Sequence, residues 1–148
     1  NFQKKHAKPD LLIMSYHGIP RRYFDNGDNY PCHCCKTSFL LSKKLGVDSS
    51  NYKMTFQSRF GKEEWIEEYT DETLKKLPKK GIKNVQIICP GFSADCLETI
   101  EEIEEENREY FMDSGGERYQ YIPALNDSND HINFICKLIR KKTKDWDK

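Results

Sequence analysis

No apolar run in this sequence approaches the length of a bilayer. The longest stretches, residues 11–14 and 87–89, fall far short of the roughly 20 residues that a membrane-spanning helix needs. There is no excess of either charge. Lys plus Arg and Asp plus Glu each number 24, so the formal net charge is zero, and nothing in the total points to nucleic acid or to an acidic membrane surface. No internal repeat or low-complexity linker divides the 148 residues, which read as one domain with a real core. No Gly-rich phosphate loop opens a helix, which argues against a flavodoxin-like phosphate binder. The opening NFQKKHAKPD lacks both an initiator Met and an apolar signal region, so the chain reads as a fragment or a processed product, with flexible ends expected at 1–9 and 143–148.

What is present argues for an ordered domain. Aromatics at 12% offset the high charged fraction of 32% and count against disorder. The six Cys, at 32, 34, 35, 89, 96 and 136, are better read as reduced cytosolic thiols than as three disulfides, because the chain is not short and its pattern is core-rich. Short apolar runs at 10–17, 52–58, 85–89 and 119–122 read as strands. Helical spacing appears at 33–45, with Phe39, Leu40, Leu41 and Leu45, and at 70–77. It recurs at 94–112, with Leu97, Ile100 and Ile103 on the apolar side, and at 128–142, with Ile132, Ile135, Leu138 and Ile139 expected to face inward. Strict alternation of strand and helix predicts an α/β fold, a doubly wound four-stranded parallel sheet with helices on both faces.

In such a sheet, ligands bind beyond the carboxyl ends of the strands, where strand order reverses. For an order 2-1-3-4 that point lies between the first and third strands. The loop carrying His17-Gly18-Ile19-Pro20 and the loop carrying residues 90–98 then face one crevice, with His17 on one wall and Glu98 on the other. A lone His at a strand end more often shapes its turn than does chemistry. His17 gains weight because a buried strand and a Gly-x-Pro turn hold it rigidly. Glu98, Glu102 and Glu106, spaced i, i+4, i+8, form one ridge of a helix, and a divalent cation or bound protons would relieve their repulsion. Glu101, Glu104 and Glu105 read as the solvated face of that helix. CHCC at 32–35 has poor spacing for zinc, and an iron–sulfur cluster would need a distant fourth thiolate, so free thiols at a helix start are the preferred reading.

Several segments together resemble the ferrochelatase family, bacterial type. Ser15-Tyr16-His17-Gly18-Ile19-Pro20 is similar to its SxHGxP segment and Gly27-Asp28-Asn29-Tyr30-Pro31 to its GDxYP loop. Residues 55–61 with Trp65 resemble QSxxGxxxW, Thr70-Asp71-Glu72 matches the TDE that follows, and residues 90–99 with Glu102 resemble PGFxxDxxET. The resemblance runs from about Asp10 to Ile139, with the motifs in family order. It implies the carboxyl-terminal half of a two-domain enzyme that inserts ferrous iron, its metal substrate, into a porphyrin, protoporphyrin IX, to form haem. It implies that His17 and Glu98 are the catalytic pair. It implies that His17, Glu98, Glu102 and Glu106 contact the metal, and that Tyr16, Phe56, Gln57 and Arg59 lie near the porphyrin. Some members carry an iron–sulfur cluster, whose usual ligand positions are not matched here. The expected partners are the porphyrin and the amino-terminal half, with no nucleic acid. The expected location is the cytoplasm, with peripheral contact with the inner membrane and self-association of the fragment left open. Two alternatives stay open: a chelatase for another metal or tetrapyrrole, and a non-catalytic half-domain that binds metal or tetrapyrrole.

Overall fold

The run LLIMSYH forms β1 (Leu11–His17), in which six of seven residues are buried, as the centre of a doubly covered parallel sheet requires. The computed structural model describes residues 7–146. The expected loose ends lie partly outside that range. β1 pairs in parallel with β2 (Tyr52–Gln57) on one side and with β3 (Asn84–Ile88) on the other, and β4 (Arg118–Ile122) lies beyond β3. The order is β2-β1-β3-β4, so the direction of winding reverses between β1 and β3, where the sequence pattern expects it. No helix among the described residues is long and apolar enough to cross a membrane.

Alternation along each strand divides the core in two. Leu11, Ile13, Val85, Ile87, Tyr119 and Tyr121 face one way. They pack against Leu74 of α3 (Thr70–Lys76), Leu77, Ile103 and Phe111 of α4 (Asn107–Asp113). On the opposite face, Leu12, Met14, Tyr16 and Phe56 meet Cys34 of α2 (Tyr30–Leu45) and Ile66. Each such apolar side chain contributes roughly 1.5–3 kcal/mol on burial, an upper figure because unfolded chains already bury some surface. Gly116 turns the chain into β4 where a Cβ would stand 2.2 Å from the ring of fully buried Phe111.

In three helices the apolar spacing read from sequence does not coincide with the buried face. In α2 the buried positions are Cys34, Ser38 and Ser42, while Phe39, Leu40 and Leu45 are about half exposed. Small side chains let α2 lie close on the sheet, and Ser38 meets the Tyr16 hydroxyl at 3.0 Å. In α5 (Asn129–Thr143) only His131 is buried, whereas Ile132, Leu138 and Ile139 are 44–54% exposed. The third case is the segment expected as one α-helix over 94–112. Glu98–Glu106 is a π-helix that passes into α4. Its i→i+5 turns are wider than α-helical ones, so Ile103 is buried while Leu97 and Ile100 point outward. Residues 21–25 form the short helix α1 (Arg21–Asp25).

The loops that follow β3 and β4 are locked together by Asp95. Its carboxylate accepts from Tyr121 Oη at 2.5 Å, Asn126 Nδ2 at 2.8 Å, and Thr99 Oγ1 and the Ala124 amide at 3.1 Å. The Asp95 amide in turn donates to Asn126 Oδ1 at 2.8 Å, and His131 Nδ1 donates to the Asn126 carbonyl at 2.7 Å. Burial raises the Asp95 carboxyl, but the hydrogen bonds from Tyr121, Asn126, Ala124 and Thr99 outweigh it and leave it below the ordinary 3.8.

Two predictions follow from this packing. Gly116→Ala forces the Phe111 ring to move and should cost about 1–3 kcal/mol in urea unfolding. A carboxyl depressed on folding adds stability that is complete above about pH 4 and is lost as pH falls through its folded value. Asp95→Asn should therefore flatten the decline in stability that the unmodified chain shows as pH falls below about 4, read by unfolding at stepped pH.

Candidate functional site

β1 ends on His17, which is paired in register with Gln57 at the end of β2. The backbone around the imidazole is held from two sides. Tyr30 Oη donates to the His17 carbonyl at 2.9 Å, and the Gly18 amide donates to the Gln57 carbonyl at 2.8 Å. His17 Nδ1 lies 2.7 Å from the Gly18 carbonyl, an oxygen that can only accept. In the neutral ring the proton therefore sits on Nδ1, and Nε2 keeps its lone pair. The Trp65 ring stands 6.4 Å from the imidazole, centroid to centroid. A Cβ on Gly18 would come within 3.1 Å of that indole and of the Gln57 carbonyl, so only glycine admits both.

The π-helix is tied to this strand end by Gln57 Nε2, which donates to the Glu98 carbonyl at 2.7 Å. Glu98 opens it and is partly exposed. The neighbouring Cys96 thiol, and then its own backbone amide, hold its carboxyl below the ordinary range, and positive charge on His17 acts in the same direction. Asn107 Nδ2 caps the Glu102 carbonyl, five residues earlier, at 2.7 Å, where the π-helix passes into α4. An open cleft of about 370 Å³ is lined by Glu98, Glu101, Glu102 and Glu106 on one side and by Ser58, Arg59 and Phe60 on the other. Glu101, read from sequence as solvated, thus joins the row. A larger cavity of about 480 Å³ lies against the β2 edge, but its charges largely pair with one another, Lys53 with Glu68 at 2.6 Å and Lys76 with Glu72 at 3.6 Å.

The four residues expected beside the porphyrin divide. Tyr16, Phe56 and Gln57 are 2–4% exposed and present almost no surface to a cleft. Burial, only partly offset by the Ser38 hydroxyl, pushes the Tyr16 phenol up to about 12. Arg59 does line the cleft, and its guanidinium stacks 4.0 Å from the Tyr69 ring and pairs with Asp71 at 2.9 Å. Glu102 is also committed. Its carboxylate accepts from the Ser58 amide at 2.7 Å and from Ser58 Oγ at 2.5 Å. Ser58 reaches it with a left-handed backbone, φ 63°.

Ser58 and Cys96 are residues that sequence reasoning missed. Nothing in the alternation of β2 marks Ser58, whereas Cys96 stands two residues before Glu98 and could have been weighed with it. All six Cys are free thiols. Cys34 points into the core while Cys32 and Cys35 are exposed, so the CHCC thiols diverge and do not fit a cluster. Among the described residues, no three His, Cys, Asp or Glu side chains converge on a point that could hold one ion.

Comparison with known proteins shows the family. A family model described as Ferrochelatase matches residues 1–143. A ferrochelatase of Hydrogenovibrio crunogenus is 63% identical over 144 residues, covering 97% of this chain and 38% of the relative. One from Idiomarina loihiensis is 60% identical, covering 95% and 39%, and one from Cronobacter sakazakii is 57% identical, covering 92% and 42%. The chain thus spans about two fifths of the length of these curated relatives. Among solved structures, one described as a cobalamin (vitamin B12) biosynthesis CbiX protein from Marinobacter aquaeolei VT8 matches with a TM-score of 0.58. That match covers 92% of this chain and 98% of the other, and at 11% identity it speaks for a shared fold alone. On the family match and on these identities, the chain belongs to the ferrochelatase family.

Proposed function

We propose that this chain is the carboxyl-terminal half of an enzyme that inserts ferrous iron into protoporphyrin IX, and that it supplies the proton-accepting wall of the active site. The observation that carries the reading is the imidazole of His17. Its Nδ1–H is bound to the Gly18 carbonyl, and its register partner Gln57 hydrogen-bonds the backbone carbonyl of Glu98.

Metal insertion exchanges two pyrrole protons for one divalent ion. The ring must pucker so that its nitrogen lone pairs leave the plane, and the metal must shed water. A neutral imidazole with a fixed tautomer suits the first requirement, since Nε2 can take a pyrrole proton at cell pH. The imidazolium so formed is stabilised by the Glu98 carboxylate, which Cys96 and His17 itself keep ionised. Glu98 takes that proton from the imidazolium and releases it to solvent, which restores His17 for the second pyrrole proton, or meets the incoming ion as a hard oxygen donor that binds it weakly enough to let go. Glu101 and Glu106 continue the acidic lining of the cleft. Glu102, expected to feed metal, acts first as the anchor that ties the π-helix to Ser58.

A planar ring must be gripped from two sides to be distorted, and one wall is supplied here. The relatives extend about three fifths of their length beyond this chain's coverage, which is the source of the second wall in this reading. The outward apolar side chains of α2 and α5 suit burial against that remainder, or self-association where it is missing.

In the full-length protein, His17→Ala should lower ferrous-iron insertion into protoporphyrin IX by about 10²–10⁴-fold while leaving the thermal midpoint within a few degrees of the parent. Glu98→Gln should lower insertion as well. Porphyrin absorbance reports the rate, and turnover retained by a folded His17→Ala protein contradicts the assignment.

A further inference from the structure

Gln57 is 3% exposed, yet it is the polar residue on which three strand ends meet. Its Oε1 accepts from Ser15 Oγ of β1 at 2.7 Å and from Cys89 Sγ, just past β3, at 3.4 Å. Its Nε2 donates to the backbone carbonyl of Glu98 at 2.7 Å. In the sheet it is the register partner of His17, and its own carbonyl accepts from the Gly18 amide. One side chain thus sits beside the imidazole by strand pairing and holds the carboxylate-bearing residue by a direct hydrogen bond. A second tie lies one turn further along the π-helix, where Ser58 holds Glu102.

We infer that Gln57 is a positioning residue that sets the separation of His17 and Glu98, and that it does not contact the porphyrin. The inference rests on the functional reading above. An amide is the side chain that meets the need, because it accepts at one end and donates at the other. Glutamate would turn a carboxylate oxygen toward the Glu98 carbonyl. Methionine fills the space but neither donates nor accepts. Asparagine keeps the amide but is one methylene too short to reach from β2 to both partners. The site lies where a small error is costly, since a displacement of about 1 Å between reacting groups can lower a rate about a hundredfold.

The test uses the full-length protein with Gln57→Met and Gln57→Asn, and three readouts: kcat, KM for protoporphyrin IX, and amide hydrogen exchange. The expected result is a fall in kcat of about tenfold or more, KM within about twofold of the parent, and faster exchange across residues 98–102 with the sheet amides unchanged. A rise in KM with kcat unchanged would mean that Gln57 binds porphyrin and would overturn the inference. So would parental kcat, or a fall in kcat without faster exchange at 98–102. Should Gln57→Met not fold, Gln57→Glu, which keeps the acceptor for Ser15 and Cys89, carries the same three readouts. A parent protein that inserts no metal would sink the functional reading instead, and the exchange readout alone would then decide whether Gln57 holds the helix.

Discussion

The hydrogen bond from Gln57 Nε2 to the Glu98 carbonyl joins the parallel sheet to the acidic π-helix. On one side is a four-stranded parallel sheet whose central strand is buried on both faces. On the other is a π-helix crowded with carboxylates, which its own repulsion would tend to loosen. The joint lies in buried polar surroundings. Ser15, Thr70 and Thr55 form a chain of hydroxyl contacts at 2.9 Å beneath it, so the sheet end is hydrogen-bonded throughout, as a buried polar cluster must be to be stable. His17 belongs to the same sheet end. The imidazole and the carboxylate are therefore held by one frame even though 81 residue positions separate them in sequence.

The acidic helix illustrates why charge count is a poor guide to a metal site. Glu98, Glu102 and Glu106 look equivalent as a spacing. In the fold they are not. Glu102 is satisfied by two donors from Ser58, Glu98 is braced by Cys96, and Glu106 lies along the cleft. What remains is an acidic lining on which, among the described residues, no three side chains converge to hold one ion.

Much of this was legible in the sequence where one physical rule dominates. The apolar run at β1 and the strand–helix alternation anticipated the four-stranded parallel sheet. Helix faces were misread where apolar periodicity had competitors. In α2 the sheet accepts Cys34, Ser38 and Ser42, small enough for close approach, and Phe39 and Leu40 turn outward. In α5 the apolar ridge of Ile132, Leu138 and Ile139 finds no sheet to cover. The π-helix changes the turn itself, which no 3.6-residue pattern can reveal. Gln57 and Ser58 were read incompletely for another reason: a polar residue at a strand end does not announce its partners, and those of Gln57 include Ser15, Cys89 and the Glu98 backbone.

The central claim is that this chain brings a competent His17–Glu98 wall and lacks only the opposing one. Its most direct test is ferrous-iron insertion into protoporphyrin IX, followed by porphyrin absorbance, for this chain alone and for this chain mixed with the separately produced remainder of the protein. Activity that appears only on mixing, and disappears when the chain carries His17→Ala, is the predicted result. No activity on mixing two folded halves that demonstrably associate would contradict it.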